Sequence, residues 1–340
     1  MSAVRIHDSP PAGLFDTDAT RLQALLGGPS LIHVRGIREV PLFVSVLLHG
    51  NEVSGWNAVR RLLASPEPLA RSLLVFIGNV DAAVRGLRML PGQLDFNRIW
   101  HGEVAGPEGE LARAVADYVR RIPLFAAVDL HNNTGHNPHY SVLTRLDASC
   151  RGLAYLFSRK AVYVQEPDTV LARLFDHLCP VVTLELGPVG DRTCEDRALD
   201  YLQRCLALDT VPCYGPVDLY QARVRVHVRD DVRFSFVDDG LATPLVLTSG
   251  VEAVNFHALP AGSSFGRSSR PLTEVLRVLD VMHQDVTDQY LVRRDEEIEL
   301  RRPVIPAMYT TDPLVVRQDC LCYFMEAMDL PAGSGTELPT

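Results

Sequence analysis

The chain has 340 residues, 47% of them hydrophobic, which is enough to build one large core or two smaller ones. Its net charge of −9, with no Lys/Arg-rich run, argues against nucleic acid as a partner. Seven irregularly spaced cysteines without a C-x-x-C pair disfavour a disulfide framework or a thiolate zinc site. With no apolar signal core at the N-terminus and no apolar run of transmembrane length, the expectation is a cytoplasmic protein with no membrane partner.

Strand patterns are expected over residues 31–37 and 42–49. The second is a long apolar run ending on a histidine, and His49-Gly50-Asn51-Glu52 leads from it into a helical pattern over 54–63. A buried strand, a tight turn and a helix opening on a glutamate can bring an imidazole and a carboxylate onto one cation. That pairing of N and O ligands suits Zn²⁺. The place also fits, because open α/β sheets bind ligands at the carboxyl ends of their strands. The plain alternative is a strand-end histidine beside a glutamate favoured by the helix dipole.

A strand over 73–80 precedes Arg88-Met89-Leu90-Pro91-Gly92-Gln93-Leu94-Asp95-Phe96-Asn97-Arg98-Ile99-Trp100, a loop rich in turn formers. Its two arginines suit carboxylates and developing oxyanions, although an Asp95–Arg98 surface pair would explain part of it. After a helix over 108–121, a strand over 125–131 carries Asp129-Leu130-His131 and again ends on a histidine. His136 and His139 follow in a Gly/Pro-containing stretch that reads as irregular loop rather than as further ligands.

Strands are expected at 140–144, 161–165 and 181–186, and a helix at 194–208. The strand Val181-Val182-Thr183-Leu184-Glu185-Leu186 holds a carboxylate among apolar residues. Burying one is costly, so it calls for a role beside a metal or a buried arginine. Alternation of strands and helices argues for an α/β sheet covered on both faces. Past residue 212 the pattern changes. Residues 222–229 alternate with period two, strands are expected at 233–237, 245–248 and 253–257, and an amphipathic helix at 272–290.

In this order, H-x-x-E after a strand, R-x-x-P-G…D-x-N-R, D-L-H and a strand-borne E-x-G resemble the zinc carboxypeptidase-like hydrolases. The closest branch is that of succinylglutamate desuccinylase and aspartoacylase. The resemblance spans about residues 40–190. It implies an α/β fold with a mixed, mostly parallel sheet and helices on both faces over residues 1–212, a smaller β-rich C-terminal domain over 213–330, and a flexible tail at 331–340. It implies one Zn²⁺ per chain held by His49, Glu52 and His131, with Asp95 orienting His49 and Glu185 as general base. Arg88 would stabilise the oxyanion, and Asn97 and Arg98 would grip a substrate carboxylate. An arginine beside a dication needs an anion, and on this view the substrate supplies one for each.

The implied activity is hydrolysis of an amide bond in a small anionic N-acyl amino acid or short peptide, with a metallo-carboxypeptidase or amidase acting on peptides as the alternative. Homo-oligomer formation is left open. Asn132-Asn133-Thr134-Gly135 departs from the desuccinylase pattern, which leaves the acyl group open, whereas Phe96 and Trp100 are expected to be harmless replacements.

Two rivals of other classes are weaker. Gly262-Ser263-Ser264-Phe265-Gly266 matches the G-x-S-x-G of serine hydrolases, but Pro260-Ala261 precedes it and no helix follows directly, so it reads as a flexible loop. A non-catalytic zinc protein would have no use for Glu185 and the two arginines.

Overall fold

The computed structural model describes residues 4–237 and 243–329, so the expected flexible tail at 331–340 lies outside the described residues. The described residues divide into two units. One comprises those up to Asn132 together with His139–Asp218, and the other comprises Asn133–Pro138 and Leu219–Asp329.

The first unit holds β1 (Arg5–His7), β2 (Ser30–Val34), β3 (Arg38–Val46), β4 (Arg71–Ile77), β5 (Ala126–His131), β6 (Tyr140–Leu143), β7 (Lys160–Tyr163) and β8 (Val181–Glu185). They lie in the order β1-β2-β4-β3-β5-β8-β6-β7. The β1–β2, β3–β4, β3–β5, β5–β8 and β6–β7 pairs are parallel. Among the described strand pairs within this unit, only β2–β4 and β6–β8 run antiparallel. The sheet is therefore mixed and mostly parallel, as expected.

Alternation along the strands assigns the two faces. Val46 and Leu130 face the helix Ser54–Leu63, which lies so close that a Cβ on Gly55 would sit 2.9 Å from Leu130. That helix packs in turn on Arg192–Ala207, where the Asn57 amide donates to Glu195 at 2.7 Å. On the other face, the Phe43 ring lies 4.6 Å from Phe175 and Phe76 lies 5.7 Å from Trp100. The register Ser45↔Asp129 and His131↔Glu185 puts these four polar residues on this second face.

Strand β3 ends at Val46, three residues before the expected stop at His49. Leu47 has φ +57°, a left-handed conformation costing about 1 kcal/mol or more for a residue with a Cβ. It turns the chain out of the sheet ahead of His49. Its carbonyl is held there by the Asn79 N–H at 2.6 Å.

The second unit contains β9 (Asp218–Val228), β10 (Phe234–Ser235), β11 (Leu245–Leu247), β12 (Ser264–Ser268), β13 (Leu276–Asp280), β14 (Leu291–Arg294), β15 (Glu297–Leu300), β16 (Ile305–Ala307) and β17 (Cys322–Ala327). β9 is flanked antiparallel by β13 and β17, and β16 continues beyond β17. A separate five-stranded sheet runs β10-β11-β12-β15-β14. Val224, Val226 and Val228 alternate inward from β9 and meet Phe265, Ile298, Leu300 and Phe324 in one core.

Three expectations for this region fail. The helix over 272–290 is instead Leu272–Val275, then β13, then Thr287–Tyr290. Leu272, Val275, Leu276 and Leu279 match helical spacing, but Leu276 and Val278 match strand spacing as well, and pairing with β9 decides between them. Met282, expected on the buried stripe, is exposed in the turn that the Asp280 carboxylate organises. The strand over 253–257 is a 3-10 turn, Val251–Val254, because Asn255 uses its side chain to pair with the backbone of Tyr309. The flexible loop at Gly262–Gly266 is largely β12, a central strand, and a Cβ on Gly266 would meet the Val246 carbonyl at 2.5 Å. Ser264 thus opens a strand, with no helix directly after it, the wrong setting for a nucleophile elbow.

The Tyr309 ring is stacked on Phe265 in this core, and its hydroxyl is buried with no hydrogen-bond partner among the described residues. An unsatisfied buried hydroxyl costs about 1–3 kcal/mol. Tyr309→Phe is expected to stabilise the protein by about 1 kcal/mol on that scale. A higher urea midpoint with an unchanged slope would show it; a lower midpoint would mean that the hydroxyl has a partner. No helix among the described residues is long and apolar enough to cross a membrane.

Candidate functional site

His49 and Glu52 sit on the turn between Leu47 and the helix Ser54–Leu63. Gly50 is required in this turn, because a Cβ there would fall 2.3 Å from the Ala83 N. The Glu52 N–H bonds the His49 carbonyl at 3.0 Å, which closes the turn and brings both side chains to one side. His131 arrives from the end of β5. The Glu52 carboxylate lies between the two rings, with Oε1 2.7 Å from His49 Nδ1 and Oε2 2.8 Å from His131 Nδ1. All three side chains are buried.

Each imidazole rests on a carboxylate at its far nitrogen. His49 Nε2 lies 3.0 Å from Asp95 Oδ1, and His131 Nε2 lies 2.9 Å from Asp129 Oδ2. The Ser45 hydroxyl donates to the other oxygen of Asp129. In the neutral rings, a carboxylate on Nε2 draws the proton there and leaves the Nδ1 lone pair as the ligand.

The loop before Trp100 is built to hold Asp95. Gln93 ties Asn79 to the Leu90 N–H, both at 2.8 Å. Asp95 Oδ1 also accepts the Asn97 N–H at 2.7 Å, an Asx turn that begins D-x-N-R. Phe96 and Trp100 are buried beneath it, and the Trp100 indole donates to the Phe96 carbonyl at 2.5 Å. Arg88 Nη2 bonds Asp95 Oδ2 at 2.9 Å, and its Nη1 lies 3.9 Å from Glu52. Arg88 therefore already has anions from the protein, which corrects the expectation that only substrate could justify it. Arg98 bonds the carbonyl of Asn97 at 2.9 Å and adds to the field on Asp95. The Asn97 side chain accepts the Leu171 N–H at 2.9 Å, and its amide nitrogen lies 3.5 Å from His131 Nε2.

Glu185 is the last residue of β8 and pairs in register with His131 on one side and Tyr140 on the other. It is half-buried at the rim of the sheet, not deep within it as expected, so the cost of burial does not by itself demand a role for it. His136 is exposed and His139 half-buried, and neither belongs to the metal-type cluster.

At Glu52, Asp95 and His131 burial opposes the charged form, and the neighbours outweigh it. For Glu52 the two imidazoles do so and hold the carboxyl well below the usual range. For Asp95 it is His49, then Arg88 and Arg98, with the same result. The Asp129 and Glu52 carboxylates raise His131 well above an ordinary imidazole.

The donor set fits a divalent metal. One ligand atom each from His49, Glu52 and His131 lies within 4.8 Å of the other two, and among the described residues no other group of His, Cys, Asp and Glu does this. Three carboxylates, Glu52, Asp95 and Asp129, face two guanidiniums, Arg88 and Arg98, an excess of negative charge that a dication would balance. The D-L-H motif by itself gives Asp129 no role; the structure sets it against His131 Nε2. Its signal was present, since residues i and i+2 of a strand share a face.

Residues 41–208 match the model of the succinylglutamate desuccinylase/aspartoacylase catalytic domain. No curated protein sequence matches. Among solved structures, succinylglutamate desuccinylase from Chromobacterium violaceum is 17% identical, with a TM-score of 0.56 over 88% of this chain and 90% of that one. A succinylglutamate desuccinylase/aspartoacylase from Rhodobacter sphaeroides is also 17% identical, with a TM-score of 0.57 over 88% and 89%. Murine aminoacylase 3 is 16% identical, with a TM-score of 0.53 over 85% and 95%. At such identities the structural likeness is one of fold. Over residues 41–208 the chain thus matches the succinylglutamate desuccinylase/aspartoacylase catalytic domain, and it shares the fold of the solved desuccinylases.

Proposed function

We propose that this protein is a zinc-dependent amidohydrolase that releases the acyl group from a small N-acyl amino acid bearing a free carboxylate. The observation that carries the proposal is the convergence of both Nδ1 atoms on Glu52 while Asp95 and Asp129 hold both Nε2 atoms. His49, Glu52 and His131 would hold the zinc. Zinc in this position supplies Lewis-acid polarisation of an amide carbonyl and acidifies a water molecule.

The chain's own residues supply the rest. Glu185, on the same sheet face as His131, takes the proton of the attacking water and returns it to the leaving nitrogen. Arg88, fixed by Asp95, presents a guanidinium beside the cluster, where charge develops on the carbonyl oxygen. Arg98 and Asn97 take the substrate carboxylate. Substrates of this chemistry agree with the names of the similar structures, which include succinylglutamate desuccinylases and an aminoacylase.

The direct test is metal analysis followed by assay against N-succinyl, N-acetyl and longer N-acyl amino acids. Stoichiometric zinc and hydrolysis lost on chelation are expected; turnover that survives complete removal of metal would end the proposal. A finer test concerns Arg98. Esterifying the substrate's carboxylate should raise KM by about ten-fold or more in the wild type and little in Arg98→Ala. An equal penalty in both proteins would remove Arg98 from the substrate site. Arg88→Ala should instead lower kcat, by about 10²–10³ if it acts like other oxyanion donors, and an effect on KM alone would contradict that role.

A further inference from the structure

The helix Ser54–Leu63 begins directly after Glu52, yet no side chain at its own N-cap, Val53, bonds its first turn. A helix start leaves backbone N–H groups in need of acceptors. Asn132, the residue after His131, fills the gap from just beyond the end of β5. Its Oδ1 accepts the Ser54 N–H at 3.2 Å, and its Nδ2 donates to Ser54 Oγ at 3.0 Å and to the Gly187 carbonyl at 2.7 Å. A backbone N–H faces the amide oxygen and a backbone carbonyl faces the amide nitrogen, so the orientation of this side chain is chemically determined. The Asn132 backbone N–H also donates to Glu52 Oε2 at 3.2 Å.

Gly187 lies two residues beyond Glu185 and has φ +100°, and a Cβ there would approach the Cys194 sulfur to 3.0 Å. The chain therefore reverses just after Glu185. Its path is fixed at two points, by the Leu186 N–H on the His131 carbonyl at 2.9 Å and by Asn132 on the Gly187 carbonyl. One buried amide thus joins the turn that carries Glu52 to the segment that carries Glu185.

We propose that Asn132 is a positioning residue that sets Glu52 for metal binding and Glu185 for proton transfer in the same side-chain network. The second half of this rests on the reading of Glu185 as general base. Asn132 touches neither His49 nor Arg88 in this network and is not offered as a ligand.

The test uses the full-length Asn132→Ala protein, with circular dichroism to establish that it is folded. Zinc affinity of the metal-free protein, read by competition with a chromophoric chelator, should fall about ten-fold to a hundred-fold, the span for partners that orient ligands. In the zinc-loaded protein kcat should fall by a similar factor, about ten-fold or more, with KM nearly unchanged. The loss in kcat should vanish when Asn132→Ala is added to Glu185→Gln, because a residue acting through Glu185 has nothing left to position.

Should Asn132→Ala not fold, Asn132→Asp keeps the acceptor for Ser54 N–H and loses the donor to Gly187, so its kcat must still fall. The proposal is overturned if zinc affinity or kcat of a folded variant stays within about two-fold of wild type, or if neither variant folds, which would make Asn132 a purely structural residue. Near-normal turnover of Glu185→Gln would defeat the base assignment instead, and zinc affinity alone would then decide the role of Asn132.

Discussion

His49→Ala is expected to abolish stoichiometric zinc binding and, with it, turnover. The substitution removes one of three donors and also a group placed between Glu52 and Asp95, where its two nitrogens lie 2.7 and 3.0 Å from the carboxylates. Removing a direct ligand should exceed the effect of an outer partner, so the affinity loss should be more than about a hundred-fold. The fold should persist, because Arg88 still compensates Asp95 and the Gly50 turn is held by backbone contacts. Metal analysis of the dialysed variant beside its circular dichroism spectrum reads both parts. Full zinc occupancy in a folded His49→Ala protein would reject the ligand set.

Glu185→Gln is expected to keep zinc and substrate binding while lowering kcat by about two to four orders of magnitude, the span for general acid–base groups. The amide has nearly the same shape and cannot accept the proton. Its half-buried position at the end of β8, in register with His131, leaves space for the replacement without creating a buried charge or cavity. KM should change little, because a base acts only as the transition state forms. The measurement is kcat and KM on the zinc-replete variant. Turnover near wild type would leave Glu185 as a strand-end residue and move the search for a base elsewhere in the site.

The residues of the metal-type cluster were legible in the sequence because their signals are local. His49 and Glu52 are three positions apart on one turn, and His131 ends an unmistakable apolar run. The same holds for the mostly parallel sheet, whose buried strands read as continuous apolar segments between amphipathic helices. What stayed hidden depends on pairing between distant parts of the chain. Ser45 meets Asp129, and Asn132 meets both Ser54 and Gly187, only because β3, β5 and β8 lie side by side in one register.

Residues 272–290 show the same limit from the other side. Their apolar spacing suits a helix and a strand about equally, and the open edge of β9 selected the strand. Sequence alone determined which residues could carry the chemistry, through side-chain type and short-range periodicity. The tertiary structure decided which carboxylate holds which imidazole, that Arg88 is already paired, and that Glu185 stands at the rim, because those follow from strand order and register, which no local pattern encodes.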